Sequence, residues 1–352
     1  MSRLLPEFRL NATTCLTAVL ALLLLPGLVK AQQAQSQPQG NPQAMVDGIP
    51  VANEKTAKKL KALDNVYMIG HRDVSKGLNF YSDQKALALG QQLAHEVMQN
   101  SKVITDPVVN EYINRLAQNL VRNSDANNVL FHVHVLQDDT VNAFALPGGY
   151  FFVNSGVILA CNEEDELAGV MAHEIAHVAA RHMTKKITEG DLLSLLTIPA
   201  EILAGPGLGG LGAEVGANAI VPWQMEKFSR GDEQEADWLG TQYLWKAGYD
   251  PYGLPRAFEL IEAEEKQKPG LISRMYASHP ATSHRIAITE REIQTILPPR
   301  PAYVVTTSDF NLVQARLRAL LRSRYETGIS VPGGIPEPHA VPKVAGPPII
   351  KH

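Results

Sequence analysis

Apolar residues recur at helical spacing along most of this chain and at strand spacing over only a short stretch. Leu, Ile and Val fall three and four apart from Ser82 to Met98 and from Val108 to Val121, which predicts two amphipathic helices. Phe131-His132-Val133-His134-Val135 alternates strictly, the pattern of a half-buried strand. Val141 to Leu146 and Tyr150 to Val153 flank Pro147-Gly148-Gly149 and predict a hairpin. A helix is expected to start near Asn162, whose side chain is placed to cap it. Glu163, Glu164 and Asp165 then sit at its positive end, and it should run to about Lys186. Further helices are expected over 226–247, 253–267, 282–296 and 309–325. Helices, a short strand group, then helices again make the expected class α+β, mostly helical with a small antiparallel sheet, and no solenoid period is visible.

The two ends depart from this pattern. Arg3 and Arg9 precede an apolar stretch, Leu16 to Val29, and Val29-Lys30-Ala31 offers small residues flanking a plausible cut. That stretch is shorter than the roughly 20 residues a membrane span needs. Residues 1–31 are therefore expected to be a cleaved signal peptide and the chain to be periplasmic or secreted, with no transmembrane span after signal removal. Residues 32–53 open on a Gln-, Pro- and Ser-rich run and are expected to be a flexible linker; 329–352, rich in Pro and Gly, are expected to be a disordered tail. The folded domain is thus expected over 54–328. Within it, 191–222 is apolar and Gly-rich, with GPGLGGLG at 205–212. Asp191, Glu201 and Glu214 interrupt it, so it suits a mobile loop or lid better than a membrane span.

Composition excludes some functions. The formal net charge is −4 with no basic run, so nucleic acid is not expected as a partner. Removal of the leader would leave Cys161 as the single cysteine, which rules out an internal disulfide and suits a small buried residue.

The chemistry is concentrated in two helical motifs. In His173-Glu174-Ile175-Ala176-His177 the two imidazoles, four apart, share a helix face and can reach one ion, while Glu174 can face the position where water binds. Leu167, Val170, Met171 and Val178 anchor that helix in a core. In Glu233-Gln234-Glu235-Ala236-Asp237, Glu233 and Asp237 share a face. One can ligate a metal while the other accepts a hydrogen bond from a ligand imidazole. Glu235 points about 160° away and is expected to be solvated.

Together, NAFALPGGYFFVNSGVI (142–158), HEIAH (173–177) and SRGDEQEAD (229–237) resemble the zinc endopeptidase family M-48, over roughly residues 75–325. The best match is to its exported, soluble, BepA-like members. The tetratricopeptide repeats of those members are expected to be absent, so docking to an outer-membrane assembly machine through such repeats is not expected. The resemblance implies a zincin-type (gluzincin) fold and one Zn2+ per chain held by His173, His177 and Glu233. It implies Glu174 as catalytic base and Asp237 as hydrogen-bond partner of a ligand imidazole. Ser278-His279-Pro280-Ala281-Thr282 resembles a further family element. There His279 is a candidate fourth ligand, switch or catalytic group, and Arg285 a weaker candidate for binding charge.

The expected activity is hydrolysis of peptide bonds in unfolded or misassembled polypeptides, outer-membrane or envelope proteins among them, as part of envelope quality control. Strand Gly149–Val153 is expected to hold substrate as an added strand. The rival is a latent zinc-binding chaperone or assembly factor of the periplasm with little proteolysis. His132 and His134 are expected to be a solvated pair on the strand's outward face, and His182 to end the catalytic helix.

Overall fold

The structure is a computed structural model that describes residues 44–46, 49–51, 53–197, 228–267, 279 and 283–326. The expected leader, most of the linker, segment 191–222 beyond Thr197, the neighbours of His279 in its motif and the C-terminal tail lie outside the described residues.

In chain order, strands β1 (Ala44–Val46) and β2 (Ile49–Val51) pair antiparallel, with Ala44 opposite Val51. They correct part of the expected linker: Asp47-Gly48 between two short apolar runs is itself a hairpin signal, masked by the Gln-rich run before it. Helix α1 (Glu54–Lys61) follows, capped by Asn53. Next come α2 (Asp83–Asn100), α3 (Pro107–Arg122), β3 (His132–Leu136), β4 (Ala143–Leu146), β5 (Tyr150–Asn154) and α4 (Ser155–Ala160). The chain continues through α5 (Glu164–Ala179), α6 (His182–Thr197), α7 (Arg230–Lys246), α8 (Gly253–Gln267), α9 (Ser283–Thr295) and α10 (Ser308–Glu326).

The fold is α+β and mostly helical. Its sheet is mixed rather than wholly antiparallel. β4 and β5 form the expected antiparallel hairpin, with Phe144 opposite Phe152, but β3 pairs parallel with β5, His132 opposite Tyr150. The order is β3-β5-β4. An alternating pattern fixes which face a strand buries, not its direction, so this lay beyond the sequence signal. The hairpin turn depends on glycine. Gly148 and Gly149 have φ of 75° and 91°, and a Cβ on Gly148 would lie 2.6 Å from Leu87 Cα. α2 seats directly on this turn; a Cβ on Gly90 would meet the Pro147 carbonyl.

α5 is the centre of the molecule. Every residue from Glu164 to His177 is buried, because α3, α7, α8 and β4 surround it. Its partner α7 is buried without interruption from Glu233 to Trp245. The cap of α5 is Glu163 rather than the expected Asn162. Glu166 reaches back to the Asn162 and Glu163 amides at 2.7 and 3.3 Å, and this reciprocal box outcompetes a single Asn cap.

The helix also ends earlier than the spacing predicts. Arg181 takes φ of 60°, a conformation L-residues rarely adopt, and α6 restarts at His182. The Arg181 guanidinium donates to Asp83 Oδ1 (2.8 Å) and the Tyr81 carbonyl (2.5 Å), contacts made only in the folded chain. The expected buried residue Cys161 is buried and free.

Close helix crossing holds this arrangement. A Cβ on Gly169 would lie 2.8 Å from the backbone of Leu254 at the start of α8. Gly169→Ala must push α8 off α5, and denaturant titration should show a loss of about 1–3 kcal/mol, typical of overpacking, despite the better helix propensity of Ala.

Candidate metal centre

Burial of α5 against α7 brings His173, Glu174 and His177 to face Glu233 and Asp237, and His279 closes the cluster from a third direction. His173 Nε2 and His177 Nε2 point at each other across 3.1 Å. Glu233 Oε2 lies 3.7 Å from His173 Nε2, and its Oε1 lies 3.6 Å from His177 Nε2. His279 Nδ1 is 3.5 Å from His173 Nε2 and 2.7 Å from Glu233 Oε1.

The donor atoms of His173, His177, Glu233 and His279 all lie within 4.8 Å of one another. Ligands about 2.0–2.1 Å from a tetrahedral ion stand roughly 3.4 Å apart, so the three donors on α5 and α7 have the spacing and the N, N, O chemistry that such an ion needs. All four residues are buried, where facing imidazoles and a carboxylate without a cation would be unfavourable.

Electrostatics follow from that burial. Burial alone would raise the Asp237 carboxyl, but the Arg285 guanidinium and the His173 hydrogen bond hold it down at about 2. Glu233 is also driven up by burial and is brought below its ordinary value by His279 and Arg285. Burial lifts Glu174 above the ordinary carboxylate range, with His279 and His173 opposing. Burial, with neighbouring imidazoles, pushes His177 well below its usual value and so keeps it neutral, the form a metal ligand requires. His279 is lowered by burial but ends above its usual value because Glu233 and Glu174 face it. Its Nε2 is 3.7 Å from Glu174 Oε1.

Asp237 Oδ1 lies 3.0 Å from His173 Nδ1, placed to fix that ring's tautomer so that Nε2 faces the cluster. Arg285, read from sequence as a group for binding charge, is turned inward instead. Its Nε and Nη2 fork onto Asp237 at 2.8 and 2.6 Å, and Nη1 lies 3.0 Å from Glu233 Oε2.

Glu235 is not solvated as expected. It is 2% exposed, accepts from His182 Nε2 at 3.1 Å and pairs with Lys59. The helical angle was sound, but α7 is buried all round, so the opposite face meets another wall of protein. His182 does not end α5; the Arg181 bend turns it inward to within 2.9 Å of His177, Nδ1 to Nδ1. Phe228 was not singled out by the sequence reading, since a lone aromatic carries no signal; it packs on His177 (4.3 Å between ring centres) and stacks on His279 (5.4 Å). His132 and His134 stack on Tyr150 and Phe152; His132 is exposed as expected, whereas His134 is half-buried.

The cluster floors a cavity of about 640 Å³ whose wall includes Phe144, Ala145, Leu146, Glu174, His177 and His279. The strand expected to hold substrate does not lie at a sheet edge. β5, which contains the expected Gly149–Val153, is the central strand, and β4 is the edge beside Glu174. Among the described residues no helix is long and apolar enough to cross a membrane.

Residues 107–293 match the model of peptidase family M48. The chain is 31% identical over 275 residues to the beta-barrel assembly-enhancing protease of Yersinia pestis, covering 76% of this chain and 54% of that protein. It is 33% identical over 187 residues to the mitochondrial metalloendopeptidase OMA1 of Schizosaccharomyces pombe, covering 53% and 52% respectively. It is 30% identical over 207 residues to the metalloprotease LoiP of Escherichia coli, covering 58% and 79%. The chain thus spans about half the length of the first two relatives.

Removing Arg285 would leave Asp237 and Glu233 buried without their cation. Arg285→Met should lower the stability of chelator-treated protein by about 3–5 kcal/mol in denaturant titration. A loss under about 1 kcal/mol would show that the carboxylates are compensated elsewhere.

Proposed function

The chain belongs to peptidase family M48, and on that premise we propose that it is an exported zinc-dependent endopeptidase acting on unfolded or misassembled polypeptides. The observation that carries this reading is the convergence of His173, His177 and Glu233 around one point, with Glu174 beside it in an open cavity. His173, His177 and Glu233 would hold the metal, leaving a direction open as catalytic zinc sites do. Bound there, zinc would supply Lewis-acid polarisation of a peptide carbonyl and acidify nearby water.

The protein's own groups do the rest. Asp237 holds the His173 ring, and Arg285 holds Asp237 and Glu233. Glu174, whose carboxyl burial raises above the ordinary carboxylate range, is suited to take a proton from attacking water and pass it to the leaving amine. β4 lies at the edge of the three-stranded sheet beside Glu174, where an extended substrate can add as a strand, which favours unfolded chains over folded ones. The name of one relative, a beta-barrel assembly-enhancing protease, supports a role in the quality control of outer-membrane proteins, and the leader-like sequence of residues 1–31 supports a periplasmic location.

A second reading has its own observation. His279 Nδ1 lies 2.7 Å from Glu233 Oε1, inside the candidate donor set, where it can close the open direction. In that case the resting protein is a latent zinc-binding chaperone or assembly factor with little proteolysis.

A single set of assays separates the two. Purified protein should carry one zinc and cleave unfolded casein, and a chelator should abolish cleavage. Glu174→Gln should lower turnover by at least about a hundredfold while keeping its zinc, as expected for loss of a general base; unchanged turnover would remove the mechanism. Zinc without cleavage, relieved in His279→Ala, would establish the latent reading.

A further inference from the structure

Behind the candidate metal cluster, three residues from three different helices lead away from His177 toward the partly exposed Lys59. His177 Nδ1 and His182 Nδ1 are 2.9 Å apart, His182 Nε2 and Glu235 Oε2 are 3.1 Å apart, and Lys59 pairs with the same Glu235 oxygen. His182 and Glu235 are each 2% exposed. Lys59 belongs to α1, outside the residues 107–293 that match the family model.

The protons in this chain have one consistent arrangement. If Nε2 of His177 is the ligating atom, its proton sits on Nδ1 and must be donated. His182 is then obliged to accept at Nδ1 and to carry its own proton on Nε2. That proton points at Glu235, a carboxylate that only accepts, and Lys59 donates to it from the far side. No member is left with two donors or two acceptors facing each other.

We propose that His182, Glu235 and Lys59 are positioning residues that orient His177 as a metal ligand through a continuous hydrogen-bonded chain. The inference rests on the metal-centre reading given above. His173 is fixed directly by a carboxylate, Asp237, which is itself held by Arg285. His177 has the same kind of support one imidazole further out, with Lys59 standing to Glu235 as Arg285 stands to Asp237. The backbone at Arg181 serves this arrangement. Its φ of 60° ends α5 and sets His182 back against the ring of His177, where a continuous helix would carry position 182 about 100° per residue further round. Lys185 of α6 stands in the same charge group, near Lys59, Glu235 and Asp232.

The test is metal affinity, measured on the full chain by competition with a chromophoric zinc chelator, together with the visible absorption of the cobalt-substituted protein. Glu235→Gln keeps the side-chain volume and removes the charge; it should weaken zinc binding by about 10–100-fold and shift the cobalt bands. Lys59→Met should shift both in the same direction by less, and Lys59→Arg should restore them. Circular dichroism of the metal-free variants monitors folding, so His182→Ala, which leaves a buried gap, is not the deciding variant. Zinc affinity within about twofold of the parent and unchanged cobalt bands in both folded variants, Glu235→Gln and Lys59→Met, would overturn the proposal. A parent protein that binds no zinc would remove the metal centre itself, and this inference with it.

Discussion

Burial of like-charged and like-natured groups against one another is the constraint around which this fold is organised. His173, Glu174, His177, Glu233, Asp237 and His279 form one buried cluster. A carboxylate removed from water is tolerated only where donors and cations replace its hydration. Arg285 meets that demand by serving two carboxylates at once, which requires α9 to pack where its guanidinium reaches α7. The position of α9 is thus tied to the charge of α7, and the position of α7 to the imidazoles of α5. Phe258 and Phe228 close the pocket sideways, one under the Arg285 guanidinium at 4.5 Å and the other against His177.

The same constraint explains where the chain departs from local preference. A left-handed Arg181 costs on the order of 1–3 kcal/mol and persists only if its surroundings over-determine it. They do so here by hydrogen bonds from the Arg181 side chain to Asp83 and Tyr81, and by the burial of His182 that the bend brings about. Glycines make the complementary concession. At Gly240 a Cβ would lie 3.0 Å from the His173 backbone, so α5 and α7 approach closely enough for short side chains such as Asp237 to reach across.

How much of this was legible in the sequence depends on the kind of information each feature needs. The helices were legible because one buried stripe per helix is a periodic signal, as in α3, where Val109, Ile113, Leu116 and Leu120 point inward. The residues of the cluster were legible because a candidate metal centre constrains residue type and spacing together, His173 with His177 and Glu233 with Asp237. The parallel pairing of β3, the Glu163 cap and the bend at Arg181 were not, since each is decided by partners distant in sequence or by competition between near-equivalent local options. Glu235 is the instructive case. Its direction on the helix was read correctly and its environment was not, because a helical wheel says where a side chain points and nothing of what stands there.

What stands there also shows why the N-terminal helix belongs to the site rather than beside it. Lys59 of α1 pairs with Glu235 on the far face of α7. Further along the chain, Arg72 donates to the Leu63 carbonyl at 2.5 Å, to Gln242 of α7 at 2.7 Å and to the Asp125 carboxylate at 2.6 Å, which in turn accepts from Tyr243 of α7 at 2.9 Å. Segment 54–72 therefore grips α7 at two points, one behind Glu233 and one two turns further along. A helix gripped on its outer face cannot rotate to relieve crowding on its inner one. The angle at which Glu233 and Asp237 face the α5 imidazoles is consequently set from both sides, and the outer set of contacts is made by residues that precede the family-matched stretch.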